Sequence, residues 1–131
     1  MPSYSTTSKE RLATCHPDLQ RLFNEVIKHY DCTIIEGHRD KATQNKAYNK
    51  GRSKVKWPYS NHNASPSNAV DVMPYYNTAP HIRWDVSIRR NERDLYEFAG
   101  FVRATAIHLG IKVRWGGKFK SFFDGPHWEL I

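Results

Sequence analysis

Residues 59 to 75 read YSNHNASPSNAVDVMPY, and the fold depends on how that stretch divides. Its first half is rich in Ser, Asn and Pro and belongs to a loop, whereas AVDVMP alternates as a strand does and is ended by Pro74. Period two sets Val70 and Val72 on one face and Ala69, Asp71 and Met73 on the other. A carboxylate within such a strand has no place in an apolar core unless hydrogen bonds, a cation or a metal partner it. His62, just before the strand, is the nearest candidate to share that partner.

The flanking chain fills in the rest of a sheet. DCTIIEGHRD has a β-branched centre closed by Gly37 and reads as a short strand leading into a loop. IKVRWGG reads as a strand running into a Gly-Gly turn. HWELI reads as a last strand, with His127, Glu129 and Ile131 on one face and Trp128 and Leu130 on the other. Helices are expected at 17 to 30, where Leu19, Leu22, Phe23, Val26, Ile27 and Tyr30 recur at three-and-four spacing after Pro17, and around Leu95 to Leu109, with Gly110 as the stop. Asp40 caps a shorter helix, KATQNKAYNK, that Gly51 ends, and 51 to 68 is loop. Helices and strands without regular βαβ alternation indicate an α+β domain with a small, mostly antiparallel sheet.

The 131 residues suffice for one core and one site, so the expectation is a single domain over 1–131 with no separate wall-binding domain. A hydrophobic share of 39% with 13% aromatics fits a packed globular chain rather than a disordered one. No run approaches the roughly 20 apolar residues of a membrane span, and the N-terminus lacks the apolar centre of an export signal. The two cysteines, Cys15 and Cys32, are read as small buried hydrophobes rather than a disulfide.

The net charge of +7 is unevenly spread: residues 41 to 70 hold Lys41, Lys46, Lys50, Arg52, Lys54 and Lys56 and no Asp or Glu. Such a patch suits a polyanion, whether nucleic acid, an anionic membrane surface or an acidic cell-wall polymer, or is a solvated basic loop. For nucleic acid, Trp57 and Tyr59 would supply the stacking surfaces, and binding would depend steeply on salt.

Seven histidines are present. His16, His29, His81 and His108 have no carboxylate at a useful spacing and read as surface or capping groups. The C-terminal FFDGPHWELI instead sets Asp124 three residues before His127. Neutral imidazole nitrogens, a hard carboxylate oxygen and an open fourth position form the donor set of a catalytic zinc. A carboxylate beside such a site can take the proton of an activated water. HExxH, paired CxxC, GxSxG and a phosphate-binding glycine loop are all absent from the sequence.

The set GHRD, SNH…AVDVMP and WGGKFKSFFDGPHWEL resembles the zinc D,D-/L,D-peptidase family. That family includes D-alanyl-D-alanine carboxypeptidases and dipeptidases and the L-alanyl-D-glutamate endopeptidases of tailed phages. The resemblance spans roughly 12 to 131 in family order, and it implies a hedgehog/D-Ala-D-Ala carboxypeptidase-like fold. Carried over residue by residue, it implies His62, Asp71 and His127 as Zn²⁺ ligands and Asp124 as the catalytic carboxylate. Arg39 matches an arginine that steadies the substrate carbonyl, a role electrostatics supports because a fixed guanidinium favours a developing oxyanion over the ground state. Ser60 matches the first motif's serine and, with His38, is assigned to the substrate. Glu129, on the face of His127, is positioned either to orient that imidazole or to pair with a Lys or Arg.

Two departures from the family pattern stand out. The interval from His62 to Asp71 is two residues longer than usual, with ASPSN where a glycine is common. The base is Asp124 rather than Glu, as in phage endolysins. The resulting expectation is a zinc-dependent peptidoglycan peptidase of the phage endolysin kind, cleaving between L-Ala and D-Glu. It would be a monomer held in the host cytoplasm until release to the wall, drawn by its basic surface to acidic wall or outer-membrane polymers, with no nucleic-acid partner. The alternatives are a D-alanyl-D-alanine carboxypeptidase, a basic nucleic-acid-binding module, and a metal-binding recognition fold without activity.

Overall fold

The computed structural model describes residues 2–131. The elements follow the chain as α1 (Thr6–Ala13), α2 (Pro17–Val26), β1 (Cys32–Glu36), α3 (Lys41–Asn49), β2 (Ala69–Pro74), α4 (Arg89–Leu109), β3 (Val113–Trp115) and β4 (His127–Leu130). The four strands form one antiparallel sheet in the order β1-β2-β4-β3. This is the expected small α+β architecture, and no helix among the described residues is long and apolar enough to cross a membrane.

One sheet face presents Val70, Val72 and Trp128 to α2 and α4. Leu19, Leu22, Phe23 and Val26 from α2 meet Leu95, Phe98, Val102 and Ala106 from α4, all buried. Trp128 packs edge-on against Phe23 and stacks on Trp115, whose indole donates to Gly125 O at 2.7 Å. At about 1.5–3 kcal/mol for each large apolar side chain removed from water, this layer supplies most of the drive to fold.

Two local readings change. The apolar spacing of 17 to 30 predicts a helix to Tyr30, but α2 ends at Val26 and the chain turns, so Tyr30 packs on Phe98 and Phe101 from a turn. Helix α1 lies in a segment that carries no helical periodicity strong enough to raise an expectation. It covers the open edge of β1: Ile34 N donates to Ser8 Oγ at 3.0 Å and Arg11 Nη1 donates to Ile34 O at 3.0 Å. An uncovered strand edge is a template for unwanted pairing, and here α1 blocks it.

The short helix α3 is capped by Asp40, whose carboxylate accepts from Thr43 N, and Gly51 follows it at φ 74°. Helix α4 stops at Gly110, whose φ of 71° is open to glycine at little cost. Cys15 and Cys32 are both free and buried.

Candidate metal centre

Strand register assembles the site. Glu36 pairs with Asp71 across β1–β2, and Asp71 pairs with His127 across β2–β4, so the three lie on one rung. Ala69 and Arg114 flank Glu129 on the next rung of the same face. Cross-strand neighbours have Cβ atoms about 4.5–5.5 Å apart, so charged groups placed here meet.

His62 reaches this face from the loop. Residues Asn61–Asn63 form a 3-10 turn in which Ser60 Oγ accepts from His62 N at 3.2 Å and Asn63 Oδ1 accepts from Ser60 N at 3.0 Å. The extra residues after His62 are taken up by a closed loop: Asn68 N donates to Asn61 O at 3.0 Å, Ser67 N to Thr14 O at 2.9 Å and His16 N to Ser67 O at 2.8 Å. The long interval therefore leaves His62 fixed beside the strand.

His62 Nε2 lies 3.2 Å and His127 Nδ1 lies 3.3 Å from Asp71 Oδ1, and one donor atom from each residue falls within 4.8 Å of the others. The far nitrogen of each ring is held. His62 Nδ1 donates to Gly37 O at 2.8 Å, since a carbonyl only accepts, which turns Nε2 toward the cluster. His127 Nε2 donates to Glu129 Oε1 at 2.7 Å, and Arg114 Nη2 donates to Glu129 Oε2 at 2.6 Å. Both partners expected for Glu129 are present together.

Electrostatics agree that the face is built for a cation. Burial would raise the Asp71 carboxyl, but the charge of His62 and hydrogen bonds from His127 and His62 hold it well below the carboxylate range. Burial likewise opposes ionisation of Glu129, yet hydrogen bonds from His127, Arg114 and Asn61 bring it down to about 2. Burial lowers His127, but Asp71 and Glu129 on either side outweigh it and raise the imidazole to about 9. Asp124 differs: burial and the negative charge of Asp71 both raise it, and its Oδ2 is 3.9 Å from His127 Nδ1. A carboxylate with a raised pKa is a better proton acceptor.

Arg39 lies beside the cluster with its guanidinium Nη2 3.8 Å from Asp71 Oδ2. Its Nε donates to Glu36 at 2.7 Å and its Nη1 to Gln44 Oε1 at 2.9 Å. Gln44, fully buried, is anchored in turn by donating to Ser53 Oγ and Val55 O. Gln44 and Arg114 carry no local signal in the sequence, whereas Glu36, three residues before Arg39, is with Asp40 an expected ion-pair partner of Arg39, and the structure forms that pair with Glu36.

The other sequence candidates are placed as follows. Ser60 lines the cleft beside His62 and His127, with its hydroxyl capping the turn. His38 lies apart, its Nδ1 2.9 Å from Ala64 O, at a surface cleft shared with Arg11 and Thr14. His16 is a helix cap, accepting from Asp18 N.

Two clefts flank the cluster and share Arg39 and Arg52. One, about 520 Å³, runs from Arg39 and Asp71 along α3 to Trp84 and Pro126. The other, about 240 Å³, is lined by His62, Asp124 and His127 together with Phe119, Phe122 and Tyr59. A chain laid through both would cross the His-Asp-His group.

Comparison with known proteins agrees in sequence and in shape. The family model described as phage L-alanyl-D-glutamate peptidase matches residues 2–131. The crystal structure of the Serratia marcescens L-Ala D-Glu endopeptidase ChiX is similar with a TM-score of 0.76 and 29% identity, covering 99% of this chain and 91% of that one.

Proposed function

The chain belongs to the phage L-alanyl-D-glutamate peptidase family and is a peptidoglycan endopeptidase, and from that premise we propose that it works with a zinc ion held by His62, Asp71 and His127. The observation that carries this is the orientation of the two imidazoles. Gly37 O and Glu129 occupy the far nitrogens, so Nε2 of His62 and Nδ1 of His127 face one point beside Asp71, where each would offer its lone pair once a cation takes the place of its proton. Two nitrogens and one carboxylate oxygen, with cleft on the remaining side, is the donor set of a catalytic zinc site.

Zinc bound there supplies Lewis acidity, polarising the scissile carbonyl and lowering the pKa of water to about 7. Asp124 takes the proton from the attacking water and passes it to the amine of D-Glu as the peptide bond breaks. Arg39, held by Glu36 and Gln44, keeps a guanidinium ready for the negative charge on the carbonyl oxygen without reorganising during the reaction. Glu129 orients His127 and is itself held by Arg114. Ser60 acts by fixing the turn that carries His62.

The protein acts as a single-domain monomer on the peptide stem, and its basic surface draws it to anionic wall polymers. It is stored in the host cytoplasm and reaches the wall at lysis. The test combines metal analysis with turbidity loss of purified walls for the wild type, His127→Ala and Asp124→Ala. One equivalent of zinc in the wild type, loss of metal in His127→Ala and loss of lysis in both variants are expected. Lysis surviving both substitutions, or a wild type active without stoichiometric metal, would overturn the zinc mechanism. Mass spectrometry of the products separates this activity from a carboxypeptidase, which would release only a terminal alanine.

A further inference from the structure

The cleft along α3 is chemically lopsided. Thr43, Lys46, Ala47 and Lys50 recur at three-and-four spacing and so share the face of α3 that lines it, with Arg52 just beyond the helix. Lys46, Lys50 and Arg52 are exposed, and none makes an ion pair with another side chain among the described residues. A flank of α3 is anchored by the buried Gln44, so the cations stand on a fixed support. Across the cleft, Trp84 is 53% exposed, an apolar wall beside cationic groups. The second cleft shares Arg39 and Arg52 and adds Lys54, but there the acidic Asp124 and Glu129 offset the cations, and its walls carry aromatic rings.

The substrate is equally lopsided. In a stem continued through the γ-carboxyl of D-Glu, the free α-carboxylate of D-Glu and the carboxylates beyond it all lie on the leaving side of the cleaved bond. The L-Ala side carries no ionised group, because it ends in a neutral lactyl amide. We infer that the α3 cleft is the leaving-side subsite, in which Lys46, Lys50 and Arg52 read the free α-carboxylate of D-Glu and its anionic neighbours while Trp84 covers the aliphatic stem. The second cleft is thereby left for the L-Ala and sugar side. The inference rests on the L-alanyl-D-glutamate reading and adds a specificity: walls in which that carboxylate is amidated are poorer substrates.

The test uses two synthetic stem peptides identical except that one carries D-Glu and the other D-isoglutamine. The wild-type zinc protein is expected to favour the acid by about tenfold in kcat/KM, the worth of one charge-assisted contact, with the difference carried by KM. In Lys46→Ala/Lys50→Ala/Arg52→Ala the rate on the acid falls toward that on the amide. Lys46→Arg/Lys50→Arg, which keeps the charge, retains the preference. A folding defect would depress both peptides alike, whereas loss of the subsite removes only the discrimination. Equal rates on the two peptides, or a triple variant that keeps the preference, would overturn the subsite while leaving the endopeptidase reading intact. Failure to cut the L-Ala–D-Glu bond in either peptide would overturn that reading itself.

Discussion

Asp71 and His127 stand opposite one another in the ladder between β2 and β4, with His127 Nδ1 3.3 Å from Asp71 Oδ1. The sheet thus supplies two of the three converging groups by register alone, and a one-residue slip of β4 would turn His127 into the core and Trp128 out of it. The burial of Trp128 against Phe23 and Trp115 therefore fixes the register on which the site depends. Only His62 comes from a loop, and that loop is tied to Thr14, His16 and Arg39 by backbone hydrogen bonds.

Glu129→Gln tests the support of His127. The variant keeps the shape of the side chain but removes the charge that holds Nε2 and binds Arg114. Metal affinity, measured by competition with a chromophoric chelator, should fall about 10- to 100-fold, with the fold unchanged by circular dichroism. Unaltered affinity would mean that Glu129 serves Arg114 alone.

Asp124→Asn separates proton transfer from metal binding. The carboxylate sits 3.9 Å from His127 and outside the group whose donor atoms converge. The variant should retain its metal and lose on the order of 10²- to 10⁴-fold in kcat on walls. A variant that lost metal in proportion to rate would instead place Asp124 among the ligands.

Much of this architecture was legible in the sequence, for identifiable reasons. Strand β4 alternates polar with apolar because one face is core and the other carries the site, whereas β2 is apolar throughout except for Asp71, and the charged residues that spoil an apolar strand are those of the site. Helix α4 announces itself by its stripe and by Gly110. Helix α1 does not, because only Ser8 and Leu12 are buried in it and its place is set by hydrogen bonds to the β1 edge. The spacing that extended α2 to Tyr30 reflects burial against Phe98 and Phe101, which a turn satisfies as well as a helix. At the site, motif spacing pointed to His62, Asp71 and His127. Gln44 and Arg114 escaped notice because they matter only through register and tertiary contact, and Glu36 was legible only as an ion-pair partner of Arg39, not as a neighbour of Asp71.

Gly116→Ala probes the turn that positions Asp124. A Cβ at Gly116 would collide with the main-chain oxygen of Asp124 and lie 2.9 Å from His127 Cβ, and Gly116 O accepts from Asp124 N at 3.1 Å. The chain must shift where it carries the base and one ligand. A stability loss of about 1–3 kcal/mol in urea unfolding is expected, together with reduced lysis. Wild-type stability and activity would show that the turn yields freely.

The two thiols give a pH signature that a double substitution isolates from that of the site. Burial raises Cys15 to about 11 and Cys32 to about 12, against 9.0 for a free thiol. The fold favours the neutral thiols, so their contribution is fully present below about pH 9, where the unfolded thiols also stay protonated. Above that pH the unfolded chain gains stability by ionising while the folded chain cannot, and stability falls as pH rises toward the folded values. Tyr4, whose hydroxyl donates to Phe23 O at 2.7 Å, is also raised by burial and adds with the same sign. Urea midpoints should therefore decline above about pH 9, and less steeply in Cys15→Ala/Cys32→Ala. At about pH 8 the native protein should react slowly with a disulfide reagent and the unfolded chain rapidly, because the thiolate is the reactive form. Fast labelling of the native protein would show that these cysteines are not held in the core as described.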